Sequence, residues 1–190
     1  MNLLLHTCCS ACLICPYESL QKENVIPTIL FFNPNIHPYR EFRKRLVSLK
    51  KYLAQIKAPN IIDENYNLDW FLRKVVGSGE KRCKICYTLR LQETARIAKE
   101  KGYDAFSSTL LVSIHQDHTS IKEIGEQIAK DTGLIFYYKD WRDGFEYAHQ
   151  KAKELNFYMQ SYCGCIYSEE ERYRPSKRRK IIRKFKKENR

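Results

Sequence analysis

Eight cysteines stand among 190 residues, and none is solitary. Cys8, Cys9, Cys12 and Cys15 fall within "HTCCSACLIC". Cys83 and Cys86 form a C-x-x-C in "RCKICYTLRL", and Cys163 and Cys165 form a C-x-C in "YCGC". Adjacent cysteines and a C-x-C pair are awkward for separate structural disulfides, and eight in a chain of this length are too sparse for a disulfide scaffold. Gathered thiolates suit a soft metal centre instead. A structural four-cysteine zinc site uses two C-x-x-C knuckles close together, whereas these clusters are far apart and one contains neighbouring cysteines. The residues alone leave three readings open: an iron–sulfur cluster, a structural zinc, or buried or redox-active thiols without metal.

Other side chains could serve the same chemistry. His6 precedes the double cysteine and either orients it, donates a proton, or simply packs at a strand end. His115 and Asp117 are candidate general acids or plain loop residues. Arg82 and Arg90 flank the C-x-x-C, where they reach phosphate or lie on a helix surface. Tyr39, Tyr87 and Tyr162 are candidates to stack on an unpaired base, although most of the 13 tyrosines must be core or surface residues.

These residues need a scaffold, and the apolar pattern supplies one. Strands are expected at Leu3–Leu5, Val25–Phe32, 60–63, 103–109 and 133–138, being short apolar runs rich in β-branched and aromatic residues. Helical patterns lie between and after them, at 12–22, 39–56, 68–76, 84–101, 119–132, 142–155 and 176–187. Gly102 and Gly133 stop two of these helices. Such alternation predicts an α/β fold with a mostly parallel sheet and helices on both faces. Ligands of such sheets bind outside the carboxyl ends of the strands. That rule gathers "HTCCSAC", "NPNIHPYR" and "SSTLLVSIH" around one crevice.

The net charge of +12 is unevenly spread, because residues 172–190, "RYRPSKRRKIIRKFKKENR", carry 11 Lys or Arg against one Glu. The expected organisation is a catalytic α/β domain over 1–171 and a basic helical tail over 172–190. A polyanion such as RNA is the natural partner of that tail, and a solvated helix is the alternative. No Lys or Arg precedes Leu3 and the first apolar run is three residues long, so a signal peptide is not expected. No run approaches the ~18 apolar residues of a membrane span. A reducing, cytoplasmic setting follows.

The combination "LLLHTCCSAC", "RCKICYTLRLQETA", "STLLVSIHQD" and "QSYCGCIYS" resembles the QueH-type epoxyqueuosine reductases from about Leu3 to Ser168. The resemblance implies a sheet similar to the adenine-nucleotide α-hydrolase (PP-loop-like) fold. It implies reduction of the epoxide of epoxyqueuosine in tRNA to queuosine, a two-electron step fed by an external electron donor. It also implies a [4Fe–4S] cluster held by Cys8, Cys9, Cys83 and Cys86. Cys163 and Cys165 would then form a redox-active pair or bind a second, mononuclear iron, which Cys12 could join. No cobalamin motif is visible among the residues, so that cofactor is not invoked. Ala11 and Ile114 stand where the family usually has Pro, and Cys15 is outside the pattern. Two other readings stand beside this one. A PP-loop tRNA-thiolating enzyme needs an SGGxDS-like loop where this chain has "HTCCSAC". The other is a zinc-stabilised RNA-binding module.

Overall fold

Leu3, Leu4, Leu5 and His6 are all buried and form strand β1 (Leu3–His6). An uninterrupted apolar run is what a strand covered on both faces requires, and each leucine so buried contributes about 1.5–3 kcal/mol. The computed structural model describes residues 1–175. In it β1 is the centre of a five-stranded sheet, ordered β3-β2-β1-β4-β5. The other strands are β2 (Thr28–Phe31), β3 (Asn60–Ile62), β4 (Ala105–Ser108) and β5 (Ile135–Phe136), and every pairing is parallel.

Seven α-helices accompany the strands among the described residues: α1 (Ser10–Lys22), α2 (Tyr39–Ile56), α3 (Leu68–Val75), α4 (Arg82–Glu100), α5 (His118–Thr132), α6 (Phe145–Glu154) and α7 (Ile166–Tyr173). Right-handed crossovers place α1 and α2 on one face of the sheet and α4 and α5 on the other. Accordingly α1 packs beside α2 and α6, and α4 beside α5. In α2, Phe42, Leu46, Leu49 and Leu53 recur at helical spacing and are buried, while Arg40, Arg43, Lys44, Lys50 and Lys51 face out.

The expected elements are present with shifted ends. The strand expected at Val25–Phe32 shortens to Thr28–Phe31, since Pro27 has no N–H to give a ladder. Helices α1 and α4 start earlier than the pattern implied, which puts Cys12 and Cys83 inside first turns. Residues 142–144 form a 3₁₀ turn ahead of α6. Helix α7 is unanticipated. The basic helix expected over 176–187 lies outside the described residues.

Two cores result. The main one surrounds the sheet and includes Cys8, Cys9 and Cys12. A satellite core joins Phe71 and Val75 of α3 to Cys86 of α4, with Leu72, Ile85, Leu89, Cys165 and Tyr167 packed against it. It ties the C-x-x-C helix to the start of α7.

The α5–β5 contact is tight enough to test. A Cβ on Gly125 would lie 2.3 Å from the Phe136 ring, which is itself packed on Phe106 at 5.2 Å between centroids. Gly125→Val should therefore overpack this layer and lower the unfolding free energy by about 1–3 kcal/mol. Urea unfolding of the two proteins checks it.

Candidate active site

The loop after β1 delivers the first thiols. Cys9 is the N-cap of α1, its Sγ accepting from the Cys12 backbone N–H at 3.4 Å. One turn later Cys12 returns to the same place. The Sγ atoms of Cys8, Cys9 and Cys12 all lie within 4.8 Å of one another and are buried. Among the described residues no other three His, Cys, Asp or Glu side chains gather this way. The Cys8 thiol is held well below the ordinary thiol value by hydrogen bonding from Cys12 and then Cys9, with help from Arg45 and His6. Cys9 is pushed up to about 12, chiefly by burial. Three crowded sulfurs that cannot all ionise in isolation are a donor set suited to a shared cation.

The remaining thiols converge from elsewhere. Cys83, Cys86, Cys163 and Cys165 line one narrow pocket of about 20 Å³ with Asn35, Arg82 and Arg90. Burial pushes Cys86 up to about 12. A larger cavity of about 380 Å³ adjoins it, lined by Cys8, Cys12 and Cys163 together with His115, His149 and Gln160. Arg90, Gln116 and Cys163 belong to both walls. The structure thus brings Cys8 and Cys9 directly against Cys12, and Cys83 and Cys86 against Cys163 and Cys165. All eight cysteines are free thiols, so the expected redox pair Cys163/Cys165 stands as two thiols rather than a disulfide. Cys15 is half-buried against Gly144, whose missing side chain makes the room.

Two buried guanidinium groups shape this region. Arg45 is fully buried, and its Nε donates to Glu41 at 2.7 Å. Its Nη1 and Nη2 donate to the carbonyls of Cys163 and Tyr162, each at 2.9 Å. This fork pins the "YCGC" loop to α2. His37 N–H donates to the Gly164 carbonyl at 2.8 Å, and the Tyr162 hydroxyl donates to the His37 carbonyl at 2.5 Å. Gly164 has φ +146°, a backbone that a side chain would strain, and a Cβ there would crowd Asn35, Ile36 and Arg45. Arg90 is also fully buried, with Nε donating to the Cys86 carbonyl at 3.2 Å. Burial opposes its charge, yet Cys86, Cys163 and Cys8 hold its proton more tightly than usual. Arg90 Nη2, Arg82 Nε and Asn35 Oδ1 have no partner among the described residues, and all three residues line the narrow thiol pocket. Unpartnered buried N–H groups beside thiols match an anionic metal–sulfur group.

The other expected residues have settled places. His6 is buried, and its Nε2 approaches the Phe32 carbonyl at 3.1 Å. A carbonyl only accepts, so Nε2 carries the proton and Nδ1 accepts from Ser108 Oγ at 2.8 Å. Burial and Arg90 lower its pKa to about 4. His6 is therefore a neutral clasp that joins β1 to Ser108 of β4 and to the residue that follows β2. Asp117 caps α5, accepting from the Ser120 N–H at 3.1 Å. Arg82 pairs with Glu171. The Tyr87 hydroxyl accepts from the Asp117 N–H at 3.3 Å, and Tyr39 is exposed beside Tyr66. His115 lines the larger cavity, as does His149, which the sequence did not single out. Cys165 repeats the device of Cys9: it caps α7, accepting from the Ser168 N–H at 3.4 Å. The glycine before it and the acidic run after it were the available signals of that helix start.

Comparison with known proteins places this arrangement. The model of the family described as "Epoxyqueuosine reductase QueH" matches residues 3–171. The epoxyqueuosine reductase QueH of Dehalococcoides mccartyi is 37% identical over 172 residues, covering 90% of this chain and 94% of that protein. The protein of that name from Thermotoga maritima is 33% identical over 177 residues, covering 88% and 90%. The Streptococcus pyogenes counterpart is 29% identical over 179 residues, covering 88% and 70%.

The Arg45 fork makes a direct prediction. Arg45→Met leaves two loop carbonyls without their donor and the buried Glu41 carboxylate without its charge partner, at a cost of about 3–5 kcal/mol. The "YCGC" loop should loosen with it, so Cys163 should be alkylated faster at a denaturant concentration where the chain is still folded. Arg45→Lys should also lose stability, because one ammonium cannot span both carbonyls and Glu41. Denaturant unfolding and a timed iodoacetamide reaction read both effects.

Proposed function

The chain belongs to the epoxyqueuosine reductase QueH family, and on that premise we propose where and how it converts epoxyqueuosine to queuosine in tRNA. The supporting observation is the convergence of cysteines from three distant segments at the carboxyl edge of the sheet: six line the narrow pocket and the larger cavity, Cys9 joins through its cluster with Cys8 and Cys12, and Cys163 and Arg90 are shared between the two walls. The larger cavity is the size of a modified nucleobase, not of a folded RNA. It receives the epoxide-bearing group while the rest of the anticodon stays outside.

Opening the epoxide to an alkene consumes two electrons and two protons and releases water. Cys8, Cys9, Cys83 and Cys86 are the residues that would hold a [4Fe–4S] cluster, which supplies electrons singly when bound. Arg90 would offset the negative charge of the sulfur ligands, and its Nη2, without a partner among the described residues, would be free to donate to them. Arg45 and Gly164 hold the Cys163–Cys165 loop at the cavity wall. Cys163 and Cys165, as a dithiol, supply two electrons and two protons on closing to a disulfide, which matches the stoichiometry of the reaction. In the alternative assignment Cys12, Cys163 and Cys165 would hold a second, mononuclear iron, which would supply Lewis-acid chemistry at the cavity wall. An external donor then restores the reduced state.

The neighbouring functions are less compatible. The sheet order supports kinship with the PP-loop-like fold. The loop after β1 has no glycine, however, and its cysteines occupy the place of a phosphate cradle. Among the described residues no helix is long and apolar enough to cross a membrane. We assign the enzyme to the reducing cytoplasm, with 1–171 as its catalytic domain and 172–190 as a basic extension that adds affinity for tRNA.

Anaerobic reconstitution with iron and sulfide tests the ligand set. The parent protein should turn brown, with broad visible absorption, whereas a zinc protein stays colourless. Cys83→Ser should lower the bound iron and bleach the spectrum; an unchanged four-iron spectrum in that variant would remove Cys83 from the ligand set.

A second series separates the cluster from turnover. Cys163→Ala and Cys165→Ala should keep the cluster spectrum and its iron while abolishing epoxide reduction. Loss of one iron per chain with the spectrum intact would assign the pair to the second metal instead.

A further inference from the structure

The segment that enters the "YCGC" loop also runs along α2, covering Glu41, Arg45 and Ser48. Tyr158 N–H donates to Ser48 Oγ at 3.1 Å, and its hydroxyl donates to Glu41 at 2.5 Å. Further on, Arg45 takes the carbonyls of Tyr162 and Cys163. The first part of this strap, Asn156 to Tyr158, forms a groove of about 460 Å³ with α2. The second part, Gln160 to Cys163, walls the catalytic cavity. Tyr158 and Gln160 are two residues apart, at most about 7 Å of extended chain.

The groove is basic. Arg43, Lys44 and Lys51 line it, with Phe157 and Tyr158 as its aromatic side, and Arg40 is exposed one turn before Lys44. Arg43 is balanced by Glu64 at 3.5 Å. Arg40, Lys44 and Lys51 make no ion pair among the described residues, which leaves their charge available to a ligand. Lys44 Nζ stands 5.3 Å from the centre of the Tyr158 ring. Cations in a row beside an aromatic ring, in a groove formed by the same strap that walls a base-sized cavity, match a nucleic-acid backbone better than a small anion.

We infer that this groove carries the phosphate backbone of the tRNA flanking the modified nucleotide, with Lys44 and Lys51 as its principal contacts. The inference rests on the family reading above and adds the path of the RNA. The strap then works at both ends, guiding the backbone at residues 156–158 and facing the base at 160–163. Each lysine acts through counterion release, so it strengthens binding without reading sequence.

The test uses the full-length, reconstituted enzyme and tRNA carrying epoxyqueuosine. Binding is followed by fluorescence anisotropy between about 50 and 200 mM salt. In Lys44→Gln/Lys51→Gln the slope of log affinity against log salt should fall by about 1.4–1.8, at 0.7–0.9 for each lost contact. KM for tRNA should rise with the dissociation constant while kcat at saturating tRNA and the melting temperature stay at the parental values. Lys44→Arg/Lys51→Arg should restore the slope. Lys99→Gln/Lys101→Gln removes the same charge at the far end of α4, on the amino side of the sheet, and should change neither slope nor KM. Parental slope and affinity in the Lys44/Lys51 variant, or an equal loss in the Lys99/Lys101 control, overturns the groove. A parent enzyme that neither binds nor converts this tRNA overturns the family reading beneath it, which the variants do not address.

Discussion

A buried positive charge must find its opposite, and two of them govern this molecule. Arg45 and Arg90 are both fully buried. Arg45 meets Glu41 and two carbonyls, so its charge is matched inside the protein, and the match fixes the "YCGC" loop against α2. Arg90 has no carboxylate partner among the described residues; its surroundings are thiols. Negative charge on the sulfur beside it would complete its solvation. The ionisation of these thiols and the stability of this end of the sheet are thus one problem.

That coupling explains the two-part core. The central sheet needs nothing from a cofactor, since β1 is apolar throughout and His6 closes its end with neutral hydrogen bonds to both neighbouring strands. The satellite core around Phe71, Val75 and Cys86 is small and includes the C-x-x-C and the start of α7. The fold therefore separates a rigid platform, which positions Cys8, Cys9 and Cys12, from a lighter wing, which brings Cys83, Cys86, Cys163 and Cys165 to it. Both Cys9 and Cys165 accept a hydrogen bond from the helix they cap, so each helix start is tied to a sulfur.

Much of this was legible in the residues. Apolar runs located all five strands, and the parallel-sheet rule gathered "HTCCSAC", "NPNIHPYR" and "SSTLLVSIH" at one edge, because both follow from local pattern. What escaped was long-range. Arg45 sits in "YREFRKRL", where it looks like one more exposed charge, and only the carbonyls of Tyr162 and Cys163 distinguish it. Helix α7 is eight residues of mostly polar sequence held by a cap and a satellite core, and neither leaves an apolar period. The clustering of Cys12 with the double cysteine followed from the helical turn between Cys9 and Cys12, once α1 is known to begin at Ser10. His6 was ambiguous until its two acceptor and donor partners were in view.

The central place of β1 has a consequence in time. Its two partners are β2, which follows closely, and β4, whose Ala105 pairs with Leu3. During synthesis the strand can gain its second neighbour only after residue 108 has left the ribosome. At about 5–20 residues per second, the first three thiols wait roughly 5–20 seconds without the sheet that will bury them. Over that interval they are open to oxidants, so the order of translation sets the window in which these thiols are most easily damaged.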